Sequence, residues 1–428
     1  MGDSGGDISV MVIGAGSGGR LIAQGLRKAG IHCTVFEQDS SLDERSRDWD
    51  FGIYWSQTPL NECLPENVQS KIITAQVDNI VPTEDAFLPI FHGATGELMH
   101  KIPTPYYLRL RRREFARILG TDLDIRYSKR LVSVDATSSP GVIATFADGT
   151  KHTASLLIGA EGAHSCVREY LLGPEKGRLL YSPFVLSVAI SKLPVDKALE
   201  LLIHNAYDKP NVADYEFIFM TGWKQPDPLS LPDSRAIVAD MKQRAEALAE
   251  PLRSIIAAID DGSTAWSGYS TYWPTQGWEE HPSRGKVTLA GDAAHPMTPN
   301  RGQGLNNAVL DSYELVKQVG AMSERTIDAL RGAVVRYEEM MWKRGKEAVM
   351  SSLENSEAVY NWEKLKQSPL FTKGSNFVVE LDTETNDGSV VDRFLRKHHL
   401  YWLEASSLLD TVYEAEESMK KLEKMLKV

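Results

Sequence analysis

Apolar residues first cluster at positions 8–13, stop at Gly14-Ala15-Gly16-Ser17-Gly18-Gly19, and return at Leu21, Ile22 and Leu26 with the spacing of one helix face. That pattern predicts a buried strand, a glycine turn and a helix. A second strand is expected over residues 32–37, so residues 7 to about 75 read as an opening βαβ unit. Residues 106–119 begin as an apolar and basic strand and run into a helix, and strands at 131–134 and 142–146 are followed by an Asp148-Gly149 turn signal. From about 175 to 275 the pattern alternates, as at 184–190 and 215–223, with proline breaks at Pro226, Pro228 and Pro232. A β-rich lobe is predicted there. Residues 286–290 resume a buried strand, and 306–319 carry a helical pattern. Near the end, Leu408, Leu409, Val412, Met419, Leu422, Met425 and Leu426 recur at helical intervals; such a helix docks either on its own chain or on a second copy.

Composition narrows the class. The 428 residues exceed the roughly 250–300 at which one core stops growing, so two lobes are expected. Hydrophobic residues at 42% and charged residues at 25% fit a folded globular chain. With 47 basic against 58 acidic residues the net charge is −11, which argues against attraction to nucleic acid or anionic lipid. Cys33, Cys63 and Cys166 form no C-x-x-C pair, so neither a metal site nor a redox dithiol is expected, and a reducing setting fits. The first strand begins close to Met1 without a signal peptide ahead of it, and the apolar run 179–190 is too short to span a bilayer. A cytoplasmic protein, monomer or homodimer, is the expectation.

The glycines of the first turn have separable tasks. Gly14 permits the tight turn, Gly16 lets the main chain approach a pyrophosphate, and Gly19 lets helix and strand pack closely, while the first helical amides face the phosphates. Glu37 ends the second strand 23 residues after Gly14, near the spacing of about 20 for an acid that binds a ribose hydroxyl. Far downstream stand Gly291-Asp292-Ala293-Ala294-His295-Pro296 and Gly302-Gln303-Gly304-Leu305-Asn306. Asp292 follows a buried strand and can accept from a polyol hydroxyl, and Gly302 and Gly304 expose amides at a helix start that favours negative charge.

With the stretch 156–168, Leu-Leu-Ile-Gly-Ala-Glu-Gly-Ala-His-Ser-Cys-Val-Arg, these motifs make the chain resemble the group A flavin-dependent monooxygenases, the family of para-hydroxybenzoate and salicylate hydroxylases and of many fungal secondary-metabolite hydroxylases and epoxidases. The resemblance covers residues 10–315. It implies a Rossmann-like α/β FAD lobe with a parallel sheet (1–80, 105–172 and 283–365), a β-sheet substrate lobe (81–104 and 173–282) and a helical C-terminal segment (366–428). It implies tightly bound FAD on Gly14, Gly16, Gly19, Glu37, Glu161, Gly162, Asp292, Pro299, Gly302, Gly304 and Leu305, with Asp292 on the ribitol and Pro299 against the isoalloxazine near its oxygen-reacting edge. Arg112 matches the family's FAD-contacting arginine at a helix start, and Arg45 and Arg47 lie where the family often keeps a cation near flavin or nicotinamide. One departure stands out: the middle motif carries Glu161-Gly162 where Asp-Gly is usual, which lengthens the acid and bears on reduction by nicotinamide.

The implied reaction is reduction of FAD by transiently bound NAD(P)H, formation of a 4a-hydroperoxyflavin with molecular oxygen, and hydroxylation or epoxidation of an electron-rich aromatic, indolic or polyketide small molecule. The cofactor carries the difficult chemistry, so no side chain is singled out as a catalyst. Tyr54, Tyr107, Tyr215, Trp223 and Tyr272 are candidates for lining the substrate pocket; His204 has the chemistry of a general base, but a lone histidine is more often structural or exposed, so no catalytic base is named. Two other outcomes stay open: a flavoenzyme with net dehydrogenation or rearrangement, and a flavin-free binding module of the GDP-dissociation-inhibitor type. The halogenase W-x-W-x-I-P signature is missing, since Tyr272-Trp273-Pro274 does not match it.

Overall fold

The computed structural model describes residues 8–45, 48–77, 82–137, 141–198, 216–225 and 231–373. At its centre the Ser9–Ile13 strand pairs in parallel with His32–Phe36 on one side and Leu156–Gly159 on the other. Val287–Leu289 extends the sheet beyond Leu156–Gly159, and Asp124–Arg126 beyond His32–Phe36, so five strands from distant segments form one parallel layer. Val10, Met11, Val12, Leu156, Leu157 and Ile158 are all buried, as strands covered on both faces require.

Helix Ser17–Lys28 lies on this sheet and against helix Gly304–Gly320. Gly25 permits that approach, because a Cβ there would stand 2.5 Å from Val316 Cγ2. The 33-residue helix Ile327–Val359 backs the layer, adding Leu330, Ala333, Val334, Tyr337 and Met341 to the main core. Strand Leu108–Arg111 passes directly into helix Arg112–Leu119, as the pattern predicted.

A separate three-stranded antiparallel sheet has Leu180–Lys192 between Glu216–Lys224 and Thr264–Tyr272. One face is closed by helix Ser234–Ala245, through Ala189, Phe219, Ile237, Val238 and Met241. The opposite face, bearing Phe184 and Leu186, turns toward the end of helix Ile327–Val359, where Tyr360 stacks on Phe184 at 4.7 Å. The mixed α/β architecture with a parallel sheet, a separate antiparallel sheet and following helices is the class expected from sequence. Beyond Pro369–Lys373 the C-terminal pattern at 408–426 lies outside the described residues, as do Arg47, His204 and Tyr215. Among the described residues no helix is long and apolar enough to cross a membrane, and no group of three metal-ligating side chains assembles.

Candidate active site

Ile13 stands opposite Gly159, and Gly159 opposite Leu289, so three neighbouring strands stop on one line. Each sequence motif starts where its strand ends. This places all three at the carboxyl edge of a parallel sheet, where ligands of such folds bind. Contacts confirm the convergence: Ala160 N donates to Ile13 O at 2.8 Å and Ala290 N to Gly159 O at 2.9 Å. A Cβ on Gly14 would lie 2.5 Å from Ala160 O, and one on Gly291 would lie 3.4 Å from Ala308 Cβ.

The first turn is shaped by its glycines. Gly14 has φ 100°, in the region an L side chain resists. A Cβ on Gly19 would collide with the Gly14 carbonyl oxygen, whereas one on Gly16 would meet no protein atom within 4 Å. Gly16 caps helix Ser17–Lys28 without a side-chain hydrogen bond, and no acid stands in the first turn, so the leading amides are left to an anion. Glu37 is half-buried beside them; its Oε2 accepts from Ala15 N at 2.7 Å and its Oε1 from Asp39 N at 3.0 Å.

Asp292 is exposed, with no protein hydrogen bond to its carboxylate among the described residues, and its Oδ1 lies 3.7 Å from where a Gly304 Cβ would be. Crowding by protein raises its carboxyl above the usual carboxylate range; Asp311 adds to this, and His295 and Arg168 oppose it. The loop that presents Asp292 hangs on a buried charge cluster. Asp311 Oδ2 accepts from Gly291 N at 2.6 Å and stands 2.6 Å from His295 Nε2, while Asp311 Oδ1 accepts from Arg344 Nη2 at 2.7 Å. Arg344 also donates to Glu314 at 2.7 Å. Burial opposes charge on Asp311, but His295 and Arg344 win and hold its carboxyl down at about 2.

A second device fixes the glycine loop. Asn306 Oδ1 accepts from Tyr54 N at 2.9 Å and Ser56 Oγ at 2.8 Å, its Nδ2 donates to Gly52 O at 2.9 Å, and Trp55 Nε1 donates to Gln303 Oε1 at 2.7 Å. Tyr54 thereby lies against the loop, 3.4 Å from a Cβ on Gly302, which adopts φ 66°. Gln303 caps helix Gly304–Gly320 without a side-chain hydrogen bond, leaving a further uncapped helix start beside Asp292. Leu305 packs into the core formed with Leu21, Ile53 and Leu60, and Pro299 is exposed at the head of the Pro299–Arg301 turn.

In the middle motif, Gly162 has φ 87° and open space at its Cβ position. Glu161 turns inward: Oε1 accepts from Val167 N at 2.9 Å and Ser165 Oγ at 2.7 Å at the start of helix Cys166–Lys176, and buried Oε2 has no partner among the described residues. Burial raises its carboxyl above the usual range against those hydrogen bonds. Arg168 joins this motif to the downstream loop by donating to Ala293 O at 2.9 Å and Ala163 O at 2.5 Å. Arg112 opens its helix, 3.4 Å from Asp48 and over the Trp49 ring at 4.5 Å; Arg45 pairs with Asp39 at 2.7 Å.

The aromatic candidates separate. Tyr54 and Tyr107 stack at 6.1 Å on the glycine-loop side, and Tyr272 precedes Trp273, whose amide donates to Pro296 O at 3.0 Å. Trp223 pairs across from Val185, on the helix-covered face with Ala189 and Phe219, and Arg244 lies 3.6 Å over its ring. Strand alternation therefore turns Trp223 away from the glycine loops. Sequence reasoning gave no role to Asn306 or Asp311, though both lie in the motif run, and did not single out Arg344 or Tyr360. Asp311 sits five residues past Asn306 in the motif run, a visible signal; Arg344 and Tyr360 lie on a later helix and its end, and only packing reveals them.

A family model described as an FAD binding domain matches residues 94–350. The FAD-dependent monooxygenase cctM of Talaromyces islandicus is 44% identical over 383 residues, covering 85% of this chain and 96% of that relative. The FAD-dependent monooxygenase phnB of Penicillium herquei is 32% identical over 388 residues, covering 85% and 94%. The chain belongs to the FAD-dependent monooxygenase family. Among solved structures, HpxO of Klebsiella pneumoniae complexed with FAD and uric acid superposes with a TM-score of 0.67 at 20% identity, over 86% of this chain and 96% of that one, and shares the fold. This membership makes the chain an FAD-dependent flavoenzyme rather than a flavin-free binding module, and its fungal relatives fit secondary metabolism. The residues fit the cofactor: an open cradle at Gly16, uncapped helix starts at Ser17 and Gly304, and a carboxylate at Asp292 with no hydrogen-bond partner among the described residues are what a pyrophosphate and a polyol chain require.

Proposed function

We propose that this protein uses NAD(P)H and molecular oxygen to hydroxylate or epoxidise an electron-rich ring, phenolic, indolic or polyketide-derived, in fungal-type secondary metabolism. The observation that carries the reading is the meeting of the Gly16 cradle, Asp292 and the Gly302–Gly304 loop at one sheet edge, beside an antiparallel sheet whose Phe184–Leu186 face turns toward the end of helix Ile327–Val359. A relative at 28% identity over 361 residues, a 3-amino-4-hydroxybenzoate 2-monooxygenase of Streptomyces platensis, supports a phenolic ring as the substrate class.

Bound FAD would supply the redox and oxygen-transfer chemistry; the chain's own residues bind, orient and shelter. The amides after Gly16 would take the pyrophosphate, Glu37 a ribose hydroxyl, and Asp292 a ribitol hydroxyl. Gly162, Leu305, Arg112 and Pro299 would complete the contacts, with Pro299 nearest the reacting edge. The uncapped amides at Gly304 favour negative charge by about 0.3–1 kcal/mol, which suits a reduced, anionic flavin. Tyr54, Tyr107 and Tyr272 would exclude water from the reacting ring. Because Glu161 is occupied at the following helix start, its extra methylene is absorbed there, leaving the Gly162 backbone as the accessible part of the motif.

The test is product analysis. Purified protein should be yellow, should oxidise NADPH faster with a particular phenolic or indolic compound, and should yield product heavier by one oxygen atom. A colourless protein that takes up no FAD, or a product changed only by loss of two hydrogens, would overturn the reading.

A further inference from the structure

In the sheet centred on Leu180–Lys192, Leu186 is flanked on the same rung by Gly222 on one side and Gly268 on the other. Residues opposed across antiparallel strands share a face, so this rung has a side chain only at its centre. The next rung on that face holds Met220, Val188 and Trp266, with Met220 59% exposed. On the other side stand Phe184 and Tyr360, stacked at 9° between ring planes. A Cβ on Gly222 would lie 2.6 Å from the Tyr360 hydroxyl, whereas one on Gly268 would meet no atom of a described residue within 4 Å. A flat bay is thus left over Leu186 and Gly268, walled by aromatic and thioether groups.

The polar handle of this bay is fixed. Asn300 Oδ1 accepts from Ser356 Oγ at 2.8 Å, and its carbonyl accepts from Asn355 Nδ2 at 3.3 Å, both on the last turns of the helix that Tyr360 ends. The Tyr360 hydroxyl lies over the floor, 2.6 Å from where a Gly222 Cβ would stand, and its phenolic hydrogen can be donated to an acceptor in the bay. Asn300 follows Pro299 directly and is held by Ser356, four residues before Tyr360, so the helix end that carries the handle is tied to the turn at the proposed reacting edge. Burial raises the Tyr360 phenol, which keeps it protonated and a donor at neutral pH.

We propose that the Gly222–Leu186–Gly268 rung is the floor of a bay for a planar, oxygen-bearing aromatic ring, and that Tyr360 orients that ring by donating a hydrogen bond to its oxygen. This rests on the monooxygenase reading and narrows its substrate to rings with an oxygen substituent about one hydrogen bond from Tyr360. Both glycines act through space: any side chain at Gly268 would occupy the volume of the ring.

The experiment titrates FAD-loaded protein with 2-naphthol and with naphthalene, reading the flavin absorbance difference spectrum, for wild type, Tyr360→Phe and Gly268→Val. Expected are tighter binding of 2-naphthol than of naphthalene by wild type, a roughly tenfold loss for 2-naphthol alone in Tyr360→Phe, and loss of both ligands in Gly268→Val with flavin content and melting temperature unchanged. No binding of 2-naphthol to wild type, equal weakening of both ligands by Tyr360→Phe, or undiminished binding in Gly268→Val each overturns the proposal. NADPH oxidation is followed in the same samples. If the ligands bind as expected but never accelerate it, the bay stands and the proposed NADPH-driven hydroxylation of such rings falls.

Discussion

Replacing Asp311 with Asn keeps the shape of a fully buried side chain and removes its charge, which leaves Arg344 with Glu314 as its remaining close anionic partner. Two magnitudes bear on the outcome. Asp311 titrates at about 2 rather than 3.8, so its folded-state pKa is depressed; the stability this contributes is present above pH 3.8 and lost as pH falls through 2, and amounts to about 2 kcal/mol. Stranding the partner of a buried charge costs about 3–5 kcal/mol, and this larger effect should decide the result. With an unfolding entropy of about 0.9 kcal/mol/K for a chain of this length, flavin-free protein should melt about 3–6 °C lower. Because Gly291 N donates to the same carboxylate, the Asp292 loop should loosen too, and FAD should dissociate about tenfold more readily, as for a lost hydrogen bond to a charged group. Scanning calorimetry and a flavin-fluorescence titration read the two effects separately. Adding Arg344→Gln should cost less than the sum of the single changes, since the stranded cation is then gone. A melting temperature within 1 °C of wild type together with unchanged FAD affinity would refute the claim that this cluster holds the loop.

Asp292→Ala should leave the melting temperature of flavin-free protein nearly unchanged, because that carboxylate bonds to no described residue, yet weaken FAD retention about tenfold or more; unchanged cofactor content removes the ribitol role. Gly16→Ala and Gly19→Ala form a contrasting pair: the first meets open space and should lower FAD affinity without touching stability, whereas the second strikes the Gly14 carbonyl and should destabilise the fold itself, both read by melting with and without FAD. Glu338, buried beside Trp278 Nε1 at 3.0 Å, is raised from 4.5 to about 7, chiefly by burial. A raised folded-state pKa gives stability that is complete below pH 4.5 and lost as pH rises through 7, about 3 kcal/mol in all. Glu338→Gln should therefore flatten the stability profile across that window in denaturant titrations, and a slope identical to wild type would contradict the assignment.

The opening strand, turn and helix were legible because their signals are local: an apolar run, glycines at fixed offsets and a helical stripe. The same holds for Val287–Leu289 and for helix Gly304–Gly320, whose start the glycine loop marks. Side-chain direction was not legible. Trp223 reads from sequence as a pocket aromatic, but its face depends on pairing with Val185, a register set 38 positions away along the chain. Arg344 and Tyr360 escaped notice for a related reason. Each completes its cluster only after helix Ile327–Val359 has packed back, and a lone Arg or Tyr in a long helical pattern gives no sign of that. Gly222 and Gly268 have ordinary neighbours in sequence, and become a bare rung only when the two outer strands flank Leu186.

The central claim, that this fold uses one flavin to place one oxygen atom on an organic ring, is tested most directly by running the FAD-loaded protein with NADPH and an accepted phenolic compound under isotopically heavy dioxygen. The account predicts product carrying a single heavy oxygen, formed only when NADPH is present. Product without label, or labelled equally in the absence of NADPH, would contradict it.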